Sequence, residues 1–280
     1  MKFFTQVDLT PLKVGISLAD RILILGSCFA DGVGARMKAA GFDVCVNPFG
    51  TLYNPASVLS ALERLDSGEP FKDYDCVEMG AGAGLVCSFS HHTSFARADE
   101  DAFLENANRA LSEASSFWKS CTRLIVTFGT AMVWKHDGRV VSNCLKRPAV
   151  EFTHEMLSLE ETTDLTRRIM AFGKPVIFTV SPIRHLSHGA HVNTLSKSTL
   201  HLALDRAGAC CFDAYEIFMD ELRDYRFCTE DLCHPNPQAV QFIWERFVAA
   251  AVPPSEHNAL RENEKAARQA AHRPISVSNL

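Results

Sequence analysis

The alternation of short apolar runs with helical patterns constrains the fold of this chain more than any other feature of its sequence. A short apolar run without polar alternation is typical of a strand that is covered on both faces, as in a parallel sheet. Helical periodicity, N-capping residues and glycine stops mark the segments between the runs. The five runs lie at 22–25, 43–46, 124–128, 176–180 and 209–213. The sequence therefore predicts a single three-layer α/β/α domain with a mostly parallel sheet of about five strands.

The predicted domain occupies residues 1–251 of the 280-residue chain. Within it, the stretch at 68–98 is rich in glycine and has no helical period, which predicts an irregular or hairpin insertion. The segment 252–280 is polar and charged, and we expect a C-terminal tail that is either helical or disordered.

The first apolar run leads directly into a small polar residue and a helix. Gly26 and Ser27 follow the run, and the pattern from Phe29 to Ala39 predicts a helix that Gly41 ends. Ser27 would therefore lie at the carboxyl end of a strand and at a helix N-terminus, where free N–H groups favour a developing negative charge. In an open α/β sheet, ligands bind at this edge.

The residues Gly26-Ser27-Cys28-Phe29-Ala30 spell the signature of the GSCFA family. The chain resembles that family over residues from 20 to 250, and the family is similar to the wider SGNH/GDSL group of serine hydrolases. The resemblance implies a flavodoxin-like fold of the SGNH-hydrolase type. It also implies a serine esterase that hydrolyses an acyl ester, such as an acetyl ester, on a small molecule or a glycan.

The SGNH group takes its acid and base from an Asp-Xaa-Xaa-His-Pro motif, which is present here as Asp231, His234 and Pro235. A serine hydroxyl is a poor nucleophile until a base takes its proton, and a histidine can do so near neutral pH. The resemblance implies that Ser27 is the nucleophile, that His234 is the base and that Asp231 orients the imidazole.

The resemblance also implies an oxyanion hole, in which the N–H groups of Ser27 and Gly50 match two donors. Taken alone, Gly50 is better explained as a turn glycine that is needed only for its dihedral angles. The third block of the SGNH group is Gly-Xaa-Asn-Asp, and its asparagine falls on Ala131 here.

A predicted hairpin offers a replacement for the missing asparagine. Two strand patterns at 132–136 and 139–143 flank Asp137-Gly138, which is a strong two-residue turn signal. In the register that this turn sets, Asn143 lies opposite Met132 and next to Ala131. We therefore expect Asn143 to be the third oxyanion donor, with Thr130 in reserve.

Three further residues are candidates for substrate binding. His91 and His92 lie in the 68–98 insertion and either line the substrate cleft or lie on a surface loop. Arg184 follows the fourth strand, where it either holds an anionic or hydroxylated substrate group or forms a structural ion pair.

Three alternatives to the serine esterase stay open. Cys28 could be the nucleophile of a cysteine hydrolase. His185, His188 and His191 are evenly spaced and could bind a metal, although chance loop histidines are favoured because a glycine lies among them and no carboxylate is near. The fold could also serve as a non-catalytic ligand-binding module.

Composition excludes other classes of function. The net charge of −5 and the absence of a basic cluster argue against a nucleic-acid partner. The N-terminus does not resemble a signal peptide and no run is long enough to span a membrane, so we expect a cytoplasmic protein whose ten cysteines are free thiols. We expect no cofactor and no metal, and the sequence leaves the oligomeric state open.

Overall fold

The computed structural model describes residues 4–271, so the end of the predicted tail lies outside the described residues. The strands are β1 (Arg21–Gly26), β2 (Asp43–Val46), β3 (Val77–Glu78), β4 (Val86–Cys87), β5 (Arg123–Phe128), β6 (Met132–His136), β7 (Arg139–Val141), β8 (Phe152–Met156), β9 (Val176–Val180) and β10 (Cys211–Phe212). The helices are α1 (Cys28–Ala39), α2 (Pro55–Ser67), α3 (Glu100–Ser120), α4 (Leu159–Met170), α5 (Ala190–Ala207), α6 (Ala214–Glu216), α7 (Pro237–Ala251) and α8 (His257–Ala271). The first regular element of the described residues is a strand, and strands and helices then alternate as far as α6, except where β3 precedes β4 and where β5 to β8 follow one another.

The central sheet has five parallel strands in the order β10-β9-β5-β1-β2, which confirms the predicted α/β fold. Side chains of β1 alternate between its two faces. Leu23 and Leu25 pack with apolar residues of α2, α3, α4 and α5, whereas Ile22 and Ile24 pack with those of α1, α7 and α8. Both faces of the sheet are therefore buried, which is why the strands read as continuous apolar runs.

The strand order places a ligand-binding edge beside β1. The chain passes from β1 to β2 on one side and later returns to β5 on the other side of β1. Where the strand order reverses in this way, the loops after the two strands diverge and leave a crevice at the carboxyl end of the sheet. Gly26 at the end of β1 is in register with Thr127 of β5, so the Gly26-Ser27 turn and the Gly129 loop open into the same crevice.

A second, three-stranded sheet has the order β7-β6-β8. The predicted hairpin is confirmed, since His136 pairs with Arg139 around the Asp137-Gly138 turn. Pairing ends at Trp134 and Val141, however, and β8 takes the other side of β6, with Met156 opposite Met132.

The prediction that the hairpin returns Asn143 to Ala131 is wrong. Ser142 leaves the sheet and donates its N–H to the Phe89 carbonyl at 2.8 Å. The carbonyl of Ala131 instead accepts the N–H of Leu157, the residue after β8.

The described part of the tail forms a short 3-10 turn (Pro254–Glu256) and helix α8, which pack on the domain. Leu260 of α8 is buried in the core under α1. Asn263 donates to the Ala40 carbonyl, and Trp244 of α7 donates to Glu264. In the part of the chain that the structure describes, no helix is both long enough and apolar enough to cross a membrane.

Candidate active site

The turn that carries Ser27 depends on the glycine before it. Gly26 has φ +144°, and a Cβ at this position would lie 2.2 Å from the Thr127 carbonyl oxygen. Its N–H donates to Asn47 Oδ1 at 2.8 Å, so a side chain of the loop after β2 fixes the turn. Ser27 follows as the N-cap of α1 in an extended conformation. The side chain therefore leaves the sheet where the helix presents its free N–H groups.

The hydroxyl of Ser27 is buried and has a partner that the sequence did not indicate. Its Oγ donates to Ser181 Oγ at 3.0 Å, and Ser181, directly after β9, is fully buried. Both serines line a cavity of about 350 Å³ that also contains Asp231 and His234. Ser27 and His234 thus share one cavity, but the hydrogen bond of Ser27 goes to Ser181.

Asp231 and His234 form a hydrogen-bonded pair on a tight loop. His234 Nδ1 donates to Asp231 Oδ2 at 2.5 Å, which leaves Nε2 as the nitrogen available to a reacting group. Asp231 Oδ1 also accepts the Thr229 hydroxyl and the N–H groups of Cys233 and His234. These donors hold the pKa of Asp231 well below its ordinary value, and the backbone N–H of His234 contributes most to this lowering. The carboxylate therefore stays charged beside the imidazole.

Arg184 supports this loop. Its guanidinium donates to the Leu232 carbonyl at 2.9 Å and lies 5.4 Å from the ring centroid of Tyr225. Leu232 has φ +58°, a conformation that a residue with a branched side chain adopts only when its surroundings hold it there. Arg184 also lines the Ser27 cavity, so it can contact a ligand while it restrains the loop.

The structure does not bring the other predicted oxyanion donors to Ser27. The N–H of Gly50 donates to the Asn47 carbonyl at 2.7 Å within a turn. Asn143 Oδ1 accepts the N–H of Leu145. None of Gly50, Asn143 and Thr130 lines the cavity that Ser27 shares with His234.

Thr130 is engaged in a separate hydrogen-bond network. Its hydroxyl bonds to Ser196 Oγ at 2.9 Å and accepts the N–H of Met132. Ser196 Oγ also accepts the N–H of Ala131, the position where the SGNH asparagine is missing.

The histidines of the 68–98 insertion occupy different environments. His91 is fully buried in the core, where its ring packs against Phe49, Phe71, Phe95 and Phe103. Burial lowers its pKa to about 3, so His91 is a neutral core residue and does not line the cleft. His92 is half-buried, and its ring accepts the N–H of Ser94.

Cys28 lines the same cavity as Ser27, but its environment disfavours a thiolate. Burial, followed by the charge of Asp31, raises the pKa of the Cys28 thiol. A cysteine nucleophile needs a lowered pKa, so the cysteine-hydrolase alternative loses support. Among residues 4–271, no group of three His, Cys, Asp or Glu side chains is arranged to hold a metal, and His185, His188 and His191 form no such cluster.

The comparisons with known proteins identify the family. The model of the GSCFA family matches residues 21–247. The chain belongs to the GSCFA family. A comparison with curated proteins found no match. Among solved structures, the chain is similar to the psychrotrophic esterase EstA from Pseudoalteromonas sp., with 12% identity, a TM-score of 0.39, and coverage of 82% of this chain and 96% of that chain.

This GSCFA protein contains a buried lysine that sequence reasoning missed. Lys197 of α5 is 3% exposed, and its Nζ donates to the carbonyls of Gly129 and Ser181, each at 2.8 Å. Both acceptors line the Ser27 cavity, so Lys197 ties together the chain after β5 and the chain after β9. Burial lowers the pKa of Lys197 to about 7.

Ser181 and Asn47 are the other residues of this GSCFA site that the sequence did not indicate. Each follows an apolar run that was recognised as a strand, and that position is the signal that could have found them. Their side chains contact Ser27 and Gly26, which lie at distant positions in the sequence.

Proposed function

We propose that this GSCFA protein hydrolyses acyl esters with Ser27 as the nucleophile. The observation that carries the proposal is the Asp231–His234 pair, which lines the same cavity as a buried serine at a helix N-terminus. The match of these residues to the SGNH motifs supports the same reaction. Because Nδ1 of His234 is bonded to Asp231, Nε2 is the nitrogen that can accept a proton.

The first half-reaction begins with a rotation of Ser27. Its hydroxyl leaves Ser181 and bonds to His234 Nε2, and Oγ attacks the ester carbonyl as the imidazole takes its proton. Asp231 stabilises the imidazolium. Collapse of the tetrahedral intermediate breaks the bond to the alcohol, which leaves with the proton of His234. Water then attacks the acyl-serine as His234 takes its proton, the bond between the acyl carbon and Ser27 Oγ breaks, and His234 returns the proton to Oγ as the free acid is released.

The oxyanion donors that we propose keep the N–H of Ser27 from the sequence prediction and replace Gly50 and Asn143. The N–H groups at the start of α1 point to the end where Ser27 lies, and the N–H of Ser27 makes a long bond of 3.3 Å to the Thr127 carbonyl. Rotation of Ser27 also frees the buried hydroxyl of Ser181, which can then donate to the developing charge.

The test is hydrolysis of a panel of acetyl, longer acyl and sugar-acetate esters. We expect Ser27→Ala and His234→Ala each to lower kcat by about a thousandfold or more, and the double variant to be hardly worse than either single one. Ser181→Ala should lower kcat about 100-fold with little change in KM. Ser116→Ala removes an exposed hydroxyl on α3 and is the matched control. Additive losses in the double variant would contradict the relay.

A non-catalytic binding module is the second candidate. The observation that favours it is the hydrogen bond of Ser27 to Ser181, which holds the hydroxyl on a partner other than His234. This alternative predicts that no ester in the panel is turned over, and that Ser27→Ala changes ligand affinity alone.

A further inference from the structure

A second cavity adjoins the cavity of Ser27. Its volume is about 300 Å³, which is in the range of small-molecule sites. Tyr53, His185 and Ser187 line both cavities, so a molecule that reaches Ser27 can extend into the second one. The second cavity lies between α5, the loop before it and the small sheet.

The wall that the small sheet contributes is a stack of aromatic rings. Trp134 on β6 stacks on His154 on β8, with ring centroids 4.1 Å apart and planes 29° apart. His188, from the loop before α5, packs on His154 at 4.3 Å. Stacked rings lose little conformational entropy when a ligand binds, and they offer apolar surface together with the polar Nε1–H and imidazole nitrogens.

The second cavity has no permanently charged side chain among its described lining residues. No Asp, Glu, Lys or Arg is among its described lining residues, whereas the Ser27 cavity contains Arg184 and Asp231. Burial, together with the neighbouring His188, lowers the pKa of His154, and burial also lowers the pKa of His185. Both imidazoles are therefore neutral at pH 7. A buried charge without a partner is costly, so this cavity disfavours a charged ligand.

Other lining residues supply hydrogen-bonding groups. Ser142 and Ser196, together with the amide of Asn193, line the same cavity as the aromatic stack. Asn193 is held in place because its Oδ1 accepts the N–H of His185. A cavity lined by both aromatic rings and hydroxyl and amide groups suits a ligand that has both an apolar face and hydroxyl groups.

We propose that this second cavity binds the uncharged, hydroxylated ring of an ester substrate, such as a neutral sugar. The proposal rests on ester hydrolysis at Ser27 and adds the class of substrate that the site selects. The ring packs on Trp134 and His154, and its ester reaches Ser27 through the opening at Tyr53.

Direct binding tests the cavity without turnover. The Ser27→Ala protein can be titrated with three sugars that have the same ring and differ in charge. Methyl glucoside is neutral, glucosamine is cationic and glucuronic acid is anionic. Of the three tryptophans, Trp118 and Trp244 are each only 2% exposed, whereas Trp134 is half-buried. Quenching of the tryptophan fluorescence by a ligand therefore reports on Trp134 and the wall that it forms. We expect methyl glucoside to quench the fluorescence and to bind at least about tenfold more tightly than either charged ring. Equal binding of a charged ring, or no binding of the neutral one, would overturn the proposal.

Variants then assign the binding to the aromatic wall. By calorimetry, Trp134→Ala and His154→Ala should each weaken methyl glucoside binding about tenfold, and either variant suffices if the other does not fold. Thr153→Ala, which changes an exposed residue of β8 outside the cavity, should bind as the Ser27→Ala parent does. Unchanged affinity in a folded wall variant would place the sugar elsewhere.

Kinetics separate this proposal from the proposed function. Trp134→Ala should lower kcat/KM for a glucoside acetate about tenfold more than for ethyl acetate. If both esters are hydrolysed in a Ser27-dependent way and Trp134→Ala does not change the ratio of their kcat/KM values, the second cavity is not the substrate subsite. If no ester is hydrolysed but methyl glucoside binding depends on Trp134, the binding site stands and the esterase does not.

Discussion

Replacement of Lys197 by methionine removes a buried charge and keeps most of the side-chain length. The ammonium of Lys197 is almost fully buried and donates to two carbonyls, and no carboxylate of the described residues forms an ion pair with it. Burial lowers its pKa from the ordinary value of 10.5 to about 7. Between these two values the unfolded chain holds a proton that the folded protein has released.

The sign of the effect on stability follows from this difference in bound protons. Where the unfolded state binds more protons, the free energy of unfolding rises with pH, here by up to about 1.4 kcal/mol per pH unit. The penalty for burying the charge is therefore complete below pH 7 and has disappeared above pH 10.5. The whole interval corresponds to about 5 kcal/mol.

Urea unfolding of wild type and Lys197→Met at pH 7, 8 and 9 measures this contribution, because other titrations cancel in the difference. We expect the free energy of unfolding of the wild type, minus that of the variant, to rise by about 2 kcal/mol between pH 7 and pH 9. Lys119→Met removes an exposed ammonium and should give a difference that stays within about 0.5 kcal/mol. A flat difference for Lys197→Met would refute a depressed pKa.

Three other predictions concern the core, the catalytic loop and the nucleophile turn. Because the pKa of His91 is about 3 in the folded protein, the unfolded chain binds an extra proton below pH 6.5. Between pH 6 and pH 4 the free energy of unfolding of wild type should therefore fall, relative to that of His91→Phe, by up to about 1.4 kcal/mol per pH unit. Urea unfolding at those pH values measures this loss, and parallel curves would contradict it. Arg184→Met should lower kcat about tenfold or more with little change in melting temperature, since the Leu232 carbonyl loses its donor; an unchanged kcat would mean that the loop needs no such restraint. Gly26→Ala should prevent folding or cost several kcal/mol, because its Cβ would lie 2.2 Å from the Thr127 carbonyl oxygen; a wild-type melting temperature by circular dichroism would argue against this turn geometry.

Local patterns of the sequence predicted the elements that local physics determines. The apolar runs became the strands of the central sheet, because a strand buried on both faces needs no polar alternation. The Asp137-Gly138 turn formed with the expected pairing of His136 and Arg139. A two-residue hairpin turn of this kind needs positive φ values, which Asp137 and Gly138 accept. The resemblance to the GSCFA family, carried by the residues around Ser27, is confirmed over residues 21–247.

The tertiary structure decided which residues that are distant in the sequence contact one another. Register counting placed Asn143 opposite Met132, but the pairing of β6 with β7 ends at Trp134 and Val141, and the Asn143 side chain accepts the N–H of Leu145 in its own loop. Gly50 lies in the predicted loop, yet its N–H is used by the turn itself.

Lys197 and His91 show most clearly that local sequence patterns do not predict which polar side chains are buried. Lys197 lies in a polar stretch of α5 that reads as a solvent-exposed face, and His91 lies in an insertion that reads as a loop. Whether such a side chain is exposed depends on which elements pack over it, and helical or loop periodicity does not encode that packing. The sequence determined where Ser27, Asp231 and His234 lie along the chain, whereas the tertiary structure decided that Ser181 receives the hydroxyl of Ser27 and that Lys197 holds the strand ends beside it.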